Sequence, residues 1–281
     1  MSERFIQAGE VRLCTEAFGK NTDPAILLIM GAQSSMIWWD RDFCRRLADT
    51  GHYVIRYDNR DTGRSTAYPP GQPDYTFEDM ADDAIHILDA YGIAKAHFAG
   101  MSMGGLLGQI IALRHPERVS ALTLIMTSNF APHLPEMDGK VMKFFMEHAS
   151  LNWSDRDAVV RFSLGKWKML AGSKYPLDED RTRILAREEL ERWDNPESMN
   201  NHGLVTGGES YLTRTSDIAV PTQVIHGTED PIIPYPHGVH LAEAIPGAFL
   251  ITLEGVGHEL PKEEWNTLID AISTFGQHPA L

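Results

Sequence analysis

The sequence is poor in cysteine. Cys14 and Cys44 are the only two among 281 residues, too few for a disulfide framework, and reduced thiols in a cytoplasm are the expected state. Long apolar runs are also missing. The longest, residues 25–30, is far short of the roughly 20 residues that cross a bilayer, so no membrane partner is expected. The opening Met1-Ser2-Glu3-Arg4-Phe5 has no apolar segment of the secretory kind, so no signal peptide is expected. Positive charge is scarce: 25 Lys and Arg stand against 39 Asp and Glu, a net charge of −14. Such a surface repels phosphate backbones, which argues against nucleic acid as a partner. Among 12 histidines there is neither H-E-x-x-H nor C-x-x-C, so no metal is expected. No internal repeat or low-complexity segment is evident.

What is present is an alternation of apolar runs with amphipathic stretches, the pattern of βαβ units. Eight strands are expected, at residues 4–6, 11–18, 25–30, 53–57, 94–99, 121–126, 222–226 and 249–253. Thr76 and Asp79 read as a helix cap, and Gly92 as the left-handed residue that ends that helix. Further helices are expected at 41–48, from Met103 to about residue 113, and along the stripe of Trp265, Leu268, Ile269, Ile272 and Phe275. From about Phe130 to Arg214 no strand is discernible, only helical stretches at 139–149, 154–170 and 178–193. The length suggests about two domains. The expected division is an α/β core of residues 1–129 and 215–281, interrupted by a helical cap at 130–214.

Gly100-Met101-Ser102-Met103-Gly104 fits G-x-S-x-G, and it joins an expected strand to an expected helix. A turn this sharp strains the nucleophile's backbone and demands very small neighbours. The alternative is an ordinary helix-capping serine with two packing glycines. A serine hydroxyl attacks only when a base takes its proton, and a histidine base needs a carboxylate to hold its tautomer. Asp230 follows the strand at 222–226, and His258 follows the strand at 249–253 in Gly255-Val256-Gly257-His258. Glu229 is the rival acid. Asp58 also follows a strand, but its expected role is to brace its own loop through backbone N–H groups. The oxyanion donors expected are the N–H groups of Ala32 and Met103, each donor worth about 3–4 kcal/mol in acyl transfer. Gln33 would add a side-chain donor, and Trp38 or Trp39 would either wall the pocket or pack against the helix at 41–48. Phe130, Phe145, Trp153 and Trp167 in the inserted block either form its own small core or point to an apolar, aromatic substrate.

Together these residues resemble the α/β-hydrolase superfamily with a cap inserted after the sixth strand. The resemblance is carried by Met30-Gly31-Ala32, Asp58-x-Arg60-x-x-Gly63-x-Ser65, Gly100-x-Ser102-x-Gly104, His226-Gly227-x-x-Asp230-Pro231 and Gly255-x-Gly257-His258. Within the superfamily the chain is similar to bacterial esterases of the aclacinomycin-methylesterase type. That resemblance is clearest in residues 56–65 and 236–242 and weakest in the cap. It implies an eight-stranded, mostly parallel sheet flanked by helices. It also implies Ser102 as nucleophile, His258 as base and acid, Asp230 as its partner, and no cofactor. The expected partner is a small-molecule ester, such as a polyketide-like methyl ester, and the expected assembly is a monomer or homodimer. A lactonase, C–C bond hydrolase, thioesterase or perhydrolase would use the same three residues. A receptor that kept the fold without turnover is the reading from another class.

Overall fold

A computed structural model of the chain describes residues 3–275, so Met1 and Ser2 of the N-terminal segment lie outside it. Its strands are β1 (Arg4–Ala8), β2 (Val11–Phe18), β3 (Ala25–Ile29), β4 (Tyr53–Tyr57), β5 (Ala96–Met101), β6 (Val119–Ile125), β7 (Thr222–Gly227) and β8 (Phe249–Leu253). They form one sheet in the order β1-β2-β4-β3-β5-β6-β7-β8. β2 runs antiparallel to both β1 and β4, and every other pairing is parallel. The expected α/β class and the eight strands are therefore present. Strand β5 lies two residues later than expected. The Ala94 carbonyl is taken by Arg118, while Gly100 and Met101 pair in register with Leu124 and Ile125.

The helices are α1 (Arg41–Ala48), α2 (Phe77–Tyr91), α3 (Met103–Arg114), α4 (Gly139–Glu147), α5 (Arg156–Leu170), α6 (Glu179–Arg192), α7 (Glu209–Leu212), α8 (Pro236–Ala244) and α9 (Trp265–Thr274). Thr76 and Asp79 form the expected capping box at the start of α2, and Gly92 ends it at φ 69°. Aspartates 138, 155 and 178 cap α4, α5 and α6 by accepting first-turn N–H groups. Helices α2, α3 and α8 bury their apolar faces on one side of the sheet, and α1 and α9 on the other. Each fully buried Leu or Ile in those layers contributes about 1.5–3 kcal/mol relative to exposure.

The segment between β6 and β7 carries α4 to α7 and, among its described residues, no strand of the sheet. Leu212 of α7 joins the core cluster on α3, so the last part of this segment packs as core. Both cysteines are buried and free, and burial pushes their thiols up to about 12. No described helix is long and apolar enough to cross a membrane.

Candidate active site

The C-terminal ends of β3, β5, β7 and β8 share one edge of the sheet, where sites in open α/β sheets collect. Ser102 links β5 to α3 with φ 55° and ψ −119°, a conformation costly for a residue with a side chain. It makes no side-chain capping bond, so the ordinary N-cap reading does not hold. Its backbone is clamped instead. The N–H donates to the Ile125 carbonyl at 2.8 Å, and its carbonyl accepts from Thr127 Oγ1 at 2.7 Å. The flanking glycines are steric necessities. A Cβ on Gly100 would lie 2.1 Å from the Gly104 carbonyl oxygen, and one on Gly104 would lie 2.2 Å from that of Ile29.

His258 Nδ1 stands 2.6 Å from Asp230 Oδ2, with both residues buried. The other oxygen, Asp230 Oδ1, accepts the N–H groups of Ile232 and Ile233 at 3.0 and 2.8 Å. The rival acid, Glu229, turns outward and accepts from both the N–H and the hydroxyl of Ser173. Asp58 braces its loop as expected. It accepts from the N–H groups of Met36 and Arg64 and pairs with Arg192 at 2.6 Å. Ser65 completes that loop by accepting from the Cys14 N–H and donating to the Asp58 carbonyl.

The loop after β3 is held from the inserted segment. Gln33 has φ 57°, and its N–H donates to His202 Nδ1 at 3.0 Å. The His202 proton therefore sits on Nε2, which donates to the Arg60 carbonyl at 2.7 Å. Burial lowers the pKa of His202, which keeps this neutral tautomer. Lys166 Nζ donates to the Gln33 carbonyl at 3.1 Å, and Glu189 accepts the Ser35 N–H at 2.7 Å. The Gln33 amide donates to Asn200 at 3.3 Å, so it faces this clamp. His202 and Lys166 belong to no motif; only their contacts with a loop more than 130 positions away reveal them.

Two cavities meet at Ser102. One, of about 240 Å³, is lined by Gly31, Ala32, Gln33, Ser102, His258 and residues of the inserted segment, among them Phe145, Lys166 and Trp167. The other, of about 430 Å³, is lined by Ala32, Ser102, Met103, Phe130 and a mostly apolar wall including Leu106, Leu212 and Ile233. Met103 opens α3, and a first-position N–H has no carbonyl acceptor within its own helix. Trp38 lines neither cavity. It stacks on Trp167 at 4.4 Å, donates to Glu189 and faces a separate cleft behind Trp167. Among the described residues no cluster suited to a metal ion occurs.

A serine on a strained strand-to-helix turn, in a sheet of this order, defines the α/β-hydrolase class. The family model described as "alpha/beta hydrolase fold" matches residues 24–264, and the chain belongs to that family. It is similar to rhodomycin D methylesterase DauP of Streptomyces sp. (strain C5), 34% identical over 97% of each chain. It is also similar to the putative carbamate hydrolase RutD of Pseudomonas savastanoi pv. phaseolicola, 32% identical over 84% of this chain and 86% of the relative. Among solved structures, the enol-lactonase of Burkholderia xenovorans LB400 superposes with a TM-score of 0.75 at 23% identity, covering 98% of this chain and 100% of that one.

Proposed function

We propose that Ser102, His258 and Asp230 form a catalytic triad that hydrolyses esters of apolar acids. The class of reaction, carboxylic-ester hydrolysis, follows from the family and from nearly full-length methylesterase relatives. The observation that carries the assignment of roles is the 2.6 Å contact of His258 Nδ1 with buried Asp230, with His258 lining the same cavity as Ser102.

In this reading Asp230 holds the Nδ1 proton of His258, leaving Nε2 to accept the proton of Ser102. The Ser102 oxygen attacks the ester carbonyl, and the N–H groups of Ala32 and Met103 receive the developing oxyanion. His258 returns the proton to the leaving alkoxide, giving an acyl-enzyme. Water, deprotonated by His258, then releases the acid. The sequence needs no cofactor. The part of residues 130–214 ahead of α7 acts as the cap, with Phe130, Phe145 and Trp167 against the substrate. A polyketide-like methyl ester fits the apolar 430 Å³ cavity and the rhodomycin D methylesterase relatives.

The test is release of p-nitrophenol from p-nitrophenyl butyrate by the purified protein. Wild type should turn over, and Ser102→Ala should fall to the uncatalysed rate. Equal rates for the two proteins would overturn the assignment. A fluorophosphonate should label wild type at Ser102 and leave Ser102→Ala unlabelled.

A further inference from the structure

The cavity on the His258 side of Ser102 holds a charge that the proposed reaction does not use. Lys166 is 5% exposed and lines that cavity together with Ser102 and His258. An ammonium has three N–H donors and no acceptor. One goes to the Gln33 carbonyl at 3.1 Å. Among the described residues no carboxylate pairs directly with Lys166. Glu189 is the nearby acid that acts on it, but Glu189 Oε1 is engaged by the Ser35 N–H at 2.7 Å and the Trp38 indole at 2.9 Å. The void that Lys166 and Glu189 both line is about 10 Å³, at the lower limit for a single water. The 240 Å³ cavity is the larger of the two spaces that Lys166 lines. Besides the Gln33 oxygen, Nζ meets the face of the Trp167 ring at 5.4 Å, and a buried cation with so few oxygen acceptors is costly unless something supplies them.

The chemistry says which half of an ester meets Lys166. His258 must protonate the leaving oxygen, so the alcohol half departs on the side that His258 lines. Of the two proposed oxyanion donors, Ala32 lines both cavities and Met103 lines only the opposite one. We infer that the cavity on the His258 side also takes alcohol halves that carry an acidic oxygen, a carboxylate in the simplest case, bound by the unused N–H donors of Lys166. The apolar acyl half fills the larger cavity. This rests on the roles proposed for Ser102 and His258, and it extends the alcohols accepted beyond methanol.

Two butyrate esters test it: 2-carboxyethyl butyrate and 3-methylbutyl butyrate, alike in shape and different in charge. Both give the same butyryl-enzyme, so a difference in kcat/KM arises in binding and acylation. Wild type should favour the charged ester by about tenfold to a hundredfold, the usual strength of a hydrogen bond to a charged group. That ratio should collapse toward one in Lys166→Met and largely survive in Lys166→Arg. A lysine that only braces the Gln33 carbonyl would lower both rates together and leave the ratio unchanged. That result, or no preference in wild type, overturns the inference. Calorimetry gives a second readout without turnover. Ser102→Ala should bind 2-carboxyethyl butyrate at least tenfold more tightly than the Ser102→Ala, Lys166→Met double variant, and equal binding refutes the site. If neither ester is hydrolysed above the Ser102→Ala background, the proposed function fails. The calorimetric comparison then still decides whether Lys166 binds the anion.

Discussion

Replacing Ser102 with glycine should make the protein more stable than replacing it with alanine. Both variants lose the hydroxyl, so its contribution cancels in the comparison. At an ordinary position glycine is less stable than alanine by roughly 0.5–1 kcal/mol, because its unfolded chain is freer. At φ 55° and ψ −119° alanine keeps the strain that Ser102 bears, about 1–3 kcal/mol, whereas glycine sheds it. The difference, about 1 kcal/mol in favour of glycine, reverses the ordinary order. It would raise the melting temperature by about 2–4 °C for a chain of 150–250 residues and somewhat less for this longer one. Urea unfolding of the two variants, analysed with equal slopes, measures it directly. A glycine variant less stable than the alanine variant would refute the claim that the turn is strained.

Three further outcomes follow from the same geometry. Asp230→Asn should lower kcat by about 10⁴, as loss of the orienting carboxylate does in such triads, while Glu229→Gln, whose side chain meets Ser173, should stay near wild type; comparable losses would contradict the pairing of His258 with Asp230. Gly104→Ala should destabilise by about 1–3 kcal/mol through overpacking against the Ile29 carbonyl, and an unchanged urea midpoint would contradict that contact. Burial depresses His97 to about 3, so its neutral form is favoured in the fold. Its contribution is whole above the unfolded value of 6.5 and is lost as pH falls from 6.5 toward 3. Between pH 6.5 and 5 this amounts to about 2 kcal/mol, which His97→Gln should remove from the acid slope of unfolding; identical slopes would refute it.

The sheet was largely legible because burial on both faces writes itself as continuous apolar runs, as at residues 26–29. Strand ends were less so. Ala94 and Lys95 read as strand by their place before an apolar run, yet hydrogen bonds to β6 decide the register, and those depend on a partner distant in sequence. Ser102, Asp230 and His258 stood out because each sits in a glycine- or proline-marked loop at a strand's end. Asp230 is favoured over Glu229 because Pro231 fixes the turn after it, and the partners of the two, His258 and Ser173, agree with that choice. Trp38 illustrates the limit of proximity: two positions after Met36 it turns away from the site, because Glu189 draws its indole N–H and Trp167 covers its ring. Lys166 and His202 were invisible for the same physical reason, since a contact across 133 or 169 positions leaves no periodicity behind.

The inserted segment touches the proposed reaction machinery through its backbone as well as through the walls proposed for the substrate. The end of α5 accepts the His258 N–H at the Leu170 carbonyl, and a side chain on Gly257 would strike that same oxygen. Lys166 on the same helix, with His202 further on, holds both polar groups of the Gln33 backbone. Grafting this segment from a relative to change specificity would therefore also exchange the supports of the imidazole loop and of the loop that carries Ala32. Recombination between such enzymes has to carry positions 166, 170 and 202 as a matched set with the loops they grip, or turnover is lost along with the old selectivity.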